Sequence, residues 1–472
     1  MQAAGRALQG TASRAEPLRA RTTPRIVRRG ETGQPIHSPP MSQGTLVSDA
    51  VTALHPSVVS CRLCGASLET TFVDLGMSPL CERFLTADQL DDMEPFYPLH
   101  VRICSSCLLV QLPSYVPPDE IFREYYYFSS YSDSWVAHAR TFAEAMIERL
   151  DLGPQSRVVE VASNDGYLLQ HFLARDIPVL GIDPARNIAE VARARGIPTV
   201  DEFFGRQLAA EIRGEHGPAD LIVANNVYAH VPDLDDVTAG LAALLADGGT
   251  LSIEVQHLPR LVERNEFDTI YHEHFSYFTL RTASAALARH GLRVIDVEEL
   301  STHGGSFRVL AAHDADRRPP SPRVAALLER EAAAGYDSVA GHAGFAERVA
   351  ATKRALLAFL ISEREAGHSI AGYGAPGKAN TLLNYCGIGP DLLPFTVDRN
   401  PHKHGRFTPG MHIPIRPPEA LDEARPDVVL VLPWNLRSEI AAQLAPLRAT
   451  GTRLVVPIPT LDDVDSPADM PR

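Results

Sequence analysis

Past residue 40 the chain has no apolar run that approaches the roughly 20 residues a membrane-spanning helix needs. Six cysteines in 472 residues are too few for a disulfide scaffold. The N-terminus lacks the apolar h-region of a secretory signal, so the reducing cytoplasm is the expected compartment. There is no basic stripe either. Lys and Arg total 44 against 58 Asp and Glu, a formal net charge of −14, which sets nucleic-acid binding aside. No partner beyond small molecules is expected, and the chain is read as a monomer. No repeat of the 20–50 residue kind is visible.

What remains is a globular composition, 45% hydrophobic and 22% charged, long enough for two to four domains with large cores. Residues 1–50 are the exception, rich in Arg, Ala, Gly, Pro and Ser without apolar periodicity. Residues 1–57 are therefore expected to form a disordered tail, with Met41 a candidate start. Glu16 and Glu31 interrupt the basic run and argue against a transit peptide.

Three ordered blocks follow. Residues 58–118 carry five of the six cysteines. In 119–318, strand-like runs at 157–161, 178–183, 220–224 and 250–255 alternate with helical patterns such as 188–195 and 237–246. That alternation predicts βαβ units and a parallel sheet covered on both faces. Pro319 and Pro320 mark the next boundary. Block 319–472 opens with a helical stretch at 345–366, then has strand-like runs at 370–374, 393–398, 427–432 and 453–457, a second and smaller α/β unit.

Four motifs carry chemistry. The first is Cys61-Arg-Leu-Cys64 with Cys104-Ser-Ser-Cys107. Two such knuckles supply four thiolates to a tetrahedral Zn2+. The long spacing between them predicts an inserted hairpin in 71–103. Disulfides are disfavoured by the compartment, and a redox CxxC by the absence of a βαβ pattern here. With all four positions filled by protein the metal would be structural. Cys81 and Cys386 read as ordinary buried thiols.

The second motif is the loop Glu160-Val-Ala-Ser-Asn-Asp-Gly166 between a strand and a helix starting near Tyr167. Ala162 and Gly166 let the backbone approach a ligand, and Asp183 ends the next strand where an acidic residue accepts ribose hydroxyls. The third strand ends in Asn225 and Asn226, amides suited to the adenine end or the substrate. The GxGxxG of dinucleotide enzymes is missing. Glu160 instead stands where methyltransferases keep an acidic residue, so S-adenosylmethionine is the expected ligand.

The third motif, Tyr271-His-Glu-His-Phe-Ser-Tyr-Phe278, follows the fourth strand. It is not the HExxH of metalloproteases. As a regular strand it would put Tyr271 and Glu273 on one face and His274 on the other, whereas a turn would let them converge. His230 follows the third strand and can reach the same crevice. Methylating a carbon requires a carbanion equivalent. A His base beside a ketone makes an enolate near neutral pH, with Tyr and a second His on the oxyanion.

The fourth is Gly372-Tyr-Gly-Ala-Pro-Gly-Lys-Ala379. Ala379 replaces the Ser/Thr that would hold Mg2+ in a P-loop, which argues against NTP hydrolysis. The loop and Lys378 can still cradle a diphosphate, with Asp398 near the same ligand. A packing turn is the alternative.

In this order the four motifs resemble those of the deoxysugar C-methyltransferases of antibiotic pathways, which act on TDP-4-keto-hexoses, commonly at C-3. The likeness covers roughly 58–459. It implies an N-terminal zinc-binding domain, a central Rossmann-like class I methyltransferase domain and a smaller C-terminal Rossmann-like α/β domain that contributes to binding the nucleotide-sugar. It implies His274 as the base, with Tyr271, Glu273 and His230 around the sugar, and Tyr127, within a run of three Tyr, approaching the substrate. It also places Asn164 with the cofactor, and Tyr373, Lys378, Asn380 and Asp398 with the nucleotide-sugar. The N-terminal tail and Pro376-Gly377 depart from the family pattern. Two rival readings are an O- or N-methyltransferase on another small molecule, and an inactive nucleotide-sugar-binding protein.

Overall fold

The computed structural model describes residues 59–123 and 128–465; the expected tail, Met41 and Tyr127 lie outside the described residues. Among the described residues no helix is long and apolar enough to cross a membrane.

The hairpin expected between the cysteine pairs is present. Strand β1 (Thr70–Ser78) runs antiparallel to β2 (Tyr97–Ile103), and β2 pairs with the short β3 (Val110–Gln111). The free edge of β3 is completed by a segment from far along the chain, Ser276–Tyr277, with Val110 opposite Tyr277 and Gln111 opposite Ser276. The residues that follow the His/Tyr/Glu cluster thus finish the sheet of the cysteine-bearing block.

The second sheet holds β4 (Val158–Val161), β5 (Val179–Ile182), β6 (Thr199–Val200), β7 (Ala219–Asn225) and β8 (Leu245–Gln256). With β9 being Ser276–Tyr277, it also takes β10 (Leu292–Leu300) and β11 (Ser306–His313), in the order β10-β11-β8-β7-β4-β5-β6. The strands from β6 to β8 are parallel, and β11 is antiparallel to both its neighbours. Every residue of β4 and β5 is buried, as expected for Val/Ile runs covered by helices on both faces.

The four strands expected here form, with one extension. β8 starts at Leu245, because Gly248 (φ +80°) and Gly249 let the register jump from Leu245 opposite Ala219 to Thr250 opposite Leu221. The sequence reading did not anticipate the β10–β11 hairpin, since its strands carry charges. In the fold these are paired: Arg308 reaches Glu254 Oε2 at 2.6 Å and Glu298 Oε2 at 3.0 Å, and Arg149 reaches Asp296.

The third sheet contains β12 (Ile370–Tyr373), β13 (Thr396–Val397), β14 (Ile415–Arg416), β15 (Val428–Val431), β16 (Arg453–Val456) and β17 (Asp462–Asp463), in the order β14-β13-β12-β15-β16-β17. Only two residues of the expected strand at 393–398 join it, because Pro394 has no N–H for the ladder.

The helix Pro322–Ala333 ties the last block to the second sheet. Its Glu331, 5% exposed, accepts from His257 Nε2 at 2.8 Å and from the Leu280 and Arg281 amides at 2.7 and 3.3 Å, capping the helix Leu280–Ala288 from outside. Glu331→Ala leaves these buried donors unpaired and should cost about 3 kcal/mol of stability, read as a lower urea midpoint. A loss under about 1 kcal/mol would remove this cap from the structural account.

Candidate active site and zinc centre

Each cysteine pair sits on a tight knuckle. Cys61 N donates to Ala66 O at 2.7 Å, and Gly65 N donates to Cys61 O at 2.8 Å. Cys104 N and Leu108 N repeat the pattern with Leu109 O and Cys104 O. Gly65 and Leu108 take left-handed φ of +78° and +67° to close the turns. The four Sγ atoms of Cys61, Cys64, Cys104 and Cys107 lie within 4.8 Å of one another, with Cys61–Cys107 and Cys64–Cys104 at 3.5 Å. These are free thiols. A ZnS4 tetrahedron with Zn–S near 2.3 Å has an edge of about 3.8 Å, so the donor set fits zinc and leaves no open position. Gln111 Nε2 donates to Cys61 Sγ at 3.0 Å, a supporting contact of the kind metal thiolates use.

After β4 the cofactor loop turns sharply: Ala162, Asn164 and Gly166 all have left-handed φ, of +56°, +49° and +80°. A Cβ on Gly166 would lie 2.8 Å from Ile197 Cγ1, so only glycine fits. Asp183 accepts from Asn164 N and Ala185 N, both at 2.9 Å, which ties the loop to the end of β5. Burial raises the Asp183 carboxyl to about 6. Glu160 is 1% exposed, and neither carboxylate oxygen has a partner among the described residues. Burial, then Asp183 and Asp165, push it well above the usual carboxylate range. Asn225 Oδ1 is likewise buried and unpartnered. Unpaired acceptors at strand ends beside a loop shaped for a ligand fit a cation that also carries hydroxyls and an amine, as S-adenosylmethionine does.

This loop opens on a cavity of about 960 Å3, at the upper end of the range for ligand sites. Ala162, Asn164, Asp183 and Asn225 line it; Glu160 and Gly166 are not part of its wall. His230, Tyr271, Glu273 and His274 line the same cavity. The segment 271–274 is a turn, closed by His274 N donating to Tyr271 O at 2.9 Å, so Tyr271, Glu273 and His274 do converge. The His274 ring lies 4.1 Å from that of Tyr271 and 4.6 Å from that of His230, centroid to centroid. His274 Nδ1 is 2.7 Å from the carbonyl of Thr269. Burial lowers His230 to about 4 and raises the Tyr271 phenol, so both stay neutral near pH 7.

The C-terminal loop is divided. Lys378 and Asp398 line the cavity; Tyr373 and Asn380 do not. Tyr373 donates its hydroxyl to Gln443 Oε1 at 2.6 Å, and Asn380 Nδ2 donates to Cys81 O. Lys378 Nζ donates to Asn435 Oδ1 at 2.9 Å and lies over the Trp434 ring. Asp398 accepts from Ala375 N and Asn400 N.

The sequence reading missed Glu82, which lines the cavity from the cysteine-bearing block, and the Thr269 carbonyl. Cys81, expected to be an ordinary buried thiol, is buried but lies 3.6 Å from Glu273 Oε1. No local pattern marks these residues; only tertiary contact brings them there.

A parallel sheet with an antiparallel strand inserted beside β8, an acidic loop after its first strand and an acidic end to its second define an S-adenosylmethionine-dependent methyltransferase with a structural zinc centre. Residues 61–122 match a zinc binding domain family, 135–297 a methyltransferase domain family and 301–459 a C-methyltransferase C-terminal domain family. The chain is 38% identical to C-methyltransferase NovU of Streptomyces niveus over 402 residues, 84% of this chain and 95% of that protein. Among solved structures, an S-adenosylmethionine-dependent methyltransferase from Anabaena variabilis ATCC 29413 aligns with 17% identity and a TM-score of 0.30, over 37% of this chain and 84% of that one. Magnesium protoporphyrin IX methyltransferase from Synechocystis PCC 6803 aligns with 16% identity and a TM-score of 0.28, over 38% and 82%. By its domain matches and its likeness to NovU, the chain belongs to the C-methyltransferase family.

Purified protein should hold close to one zinc per chain by metal analysis. Cys104→Ser should lose the metal and lower the thermal midpoint, since ligand loss removes binding energy that stabilises the fold. A metal-free wild type of full stability would rule the centre out.

Proposed function

We propose that this C-methyltransferase methylates the carbon next to the ketone of a TDP-4-keto-deoxyhexose, commonly C-3, with His274 as the base that forms the enolate. The observation that carries this reading is the hydrogen bond between His274 Nδ1 and the Thr269 carbonyl. A carbonyl only accepts, so Nδ1 holds the hydrogen and the basic lone pair of the neutral ring lies on Nε2. His230 and Tyr271, both neutral and both packed against the base, serve as donors to the ketone oxygen as charge develops on it. Glu273, 4% exposed on the same wall, orients sugar hydroxyls. Tyr127, expected to approach the substrate, lies outside the described residues.

Asn164, Asp183 and Asn225 hold the cofactor from the wall, and Glu160 stands buried behind them as a carboxyl that a cationic ligand would draw toward its ionised form. S-adenosylmethionine, when bound, supplies an electrophilic methyl group. Lys378 and Asp398 line the wall expected to face the nucleotide-sugar, while Tyr373 and Asn380 support the loop that carries Lys378.

A general base contributes about 10²–10⁴-fold, so His274→Asn should cut turnover by that much and leave cofactor affinity intact. Normal turnover in this variant would sink the assignment and leave His230 as the leading base.

Asp183 yields a pH dependence. Its folded value of about 6 lies above the ordinary 3.8, so its ionisation lowers stability as pH rises through 6, and acidification does not unfold the protein through this group. Ribose binding needs the ionised form. Cofactor affinity should therefore be full at pH 8 and about tenfold weaker at pH 5, with Asp183→Asn weak and flat across the range. A wild-type affinity by calorimetry that does not change between these pH values would place the ribose contact elsewhere.

A further inference from the structure

We propose that Tyr277 is a further catalytic residue, whose phenol O–H donates a hydrogen bond to the substrate ketone oxygen as the enolate forms; the proposal rests on the enolate reading above. Tyr277 is 4% exposed; the Tyr271 amide approaches its phenol oxygen outside hydrogen-bonding geometry, and its O–H has no acceptor among the described residues. A buried hydroxyl left unpaired costs about 1–3 kcal/mol. A packed protein that keeps one at a cavity wall is presenting it to something that enters the cavity.

Three further observations place that something beside the base. Tyr277 lines the same cavity as His274, and the two rings stand 6.3 Å apart, edge to face at 82°. The residue is fixed from below by its β9 pairing with Val110, so the phenol is presented by a strand and not by a loose loop. The positive charge that faces it is the guanidinium of Arg62, which offsets part of the effect of burial and so favours negative charge near the phenol oxygen. Arg62 is itself held by the carbonyls of Leu112, Val231 and Pro232. A donor on a rigid strand, backed by a fixed cation and lacking any internal acceptor, is the arrangement that stabilises a developing oxyanion.

His274 Nε2 takes the proton from the carbon next to the ketone. The C–H pair becomes the C=C bond of the enolate, and the carbonyl π pair moves to oxygen, where Tyr277 donates its hydrogen bond. On methyl transfer the C=C pair forms the new C–C bond, the S–CH3 bond breaks with its pair left on the sulfur of S-adenosylhomocysteine, and the oxygen pair re-forms C=O. Tyr277 keeps its own proton throughout, and the proton on His274 is released to solvent.

The test uses the zinc-loaded enzyme with S-adenosylhomocysteine in D2O and the TDP-4-keto-deoxyhexose that the wild type turns over. Deuterium uptake next to the ketone is read by mass spectrometry, and methylation is measured separately with S-adenosylmethionine. Tyr277→Phe should slow exchange and kcat together by about 10²-fold, as expected for loss of one oxyanion donor. S-adenosylmethionine affinity should be unchanged. The thermal midpoint should hold or rise, because the variant deletes an unpaired buried hydroxyl. Wild-type exchange and kcat in Tyr277→Phe, with His274→Asn inactive in both, would overturn the Tyr277 assignment alone. A fall in thermal midpoint that accompanies the loss would also overturn it, since the hydroxyl would then be structural. A wild type that methylates but never exchanges that proton would remove the enolate reading, and Tyr277 as its donor with it.

Discussion

Arg62 joins three parts of the molecule with one side chain. It lies inside the first cysteine knuckle, between Cys61 and Cys64, so the metal centre fixes its backbone. Its guanidinium donates to Leu112 O beside β3 and to Val231 O and Pro232 O just after His230, and it covers the ring of Phe275 at 5.3 Å. Its amide donates to Gln111 Oε1 at 2.9 Å, and the same Gln111 donates to Cys61 Sγ. A planar group with five fixed donors suits this task in a way a lysine would not. The consequence is that a metal with no open coordination position still bears on the cavity. The segment that carries His230 and the strand that carries Tyr277 are both anchored on the first knuckle, and two knuckles with four thiols have little to hold them together without their ion.

The cofactor side is built on the opposite principle, an interaction left incomplete. Glu160, Asp165 and Asp183 are all buried within one loop and the strand ends beside it, and burial first, then repulsion from the other two, raises Glu160. The fold neutralises two of the three: Arg195 pairs with Asp165 at 3.0 Å, and backbone amides hold Asp183. Glu160 is left with no partner among the described residues. Its unpartnered carboxyl, like the left-handed Ala162 and Asn164, is free energy stored at a site and recovered when a cationic ligand arrives.

Much of this was legible in the sequence because it is written locally. A parallel strand buried on both faces must be a continuous apolar run, which is why 157–161 and 178–183 read clearly. Two CxxC pairs declare a tetrahedral donor set whatever lies between them. The Tyr271–His274 turn was one of two geometries the motif allowed, and the fold adopts it. What the sequence hid is long-range. Nothing near Ser276–Tyr277 says that it pairs with β3, so Tyr277 sat in a recognised motif without a role. The charges of β10 and β11 disguised two strands because their partners, Glu254 and Arg149, lie on other elements. Tyr373 and Asn380 share a glycine-rich loop with Lys378, yet their side chains face Gln443 and Cys81.

The glycine-rich loop shows how far the three blocks depend on one another. The helix Gly377–Cys386 presents its N-terminus toward the cavity, the geometry that binds anions. Glu82, from the cysteine-bearing block, stands there: a Cβ on Gly377 would lie 2.9 Å from its Oε1, and Lys403 Nζ is 3.5 Å from its Oε2. Burial raises this carboxyl, while Lys403 and the Gly377 amide pull it back down. The protein has therefore filled part of the anion cradle from within, and the carbonyl of the preceding residue, Cys81, accepts from Asn380 Nδ2. A methyltransferase sheet alone would leave the cavity open on this side. Glu82 from the cysteine-bearing block, Phe122 from the start of the second and Pro376–Lys378 from the third wall it on this side, so all three blocks contribute to the cavity that His274 lines.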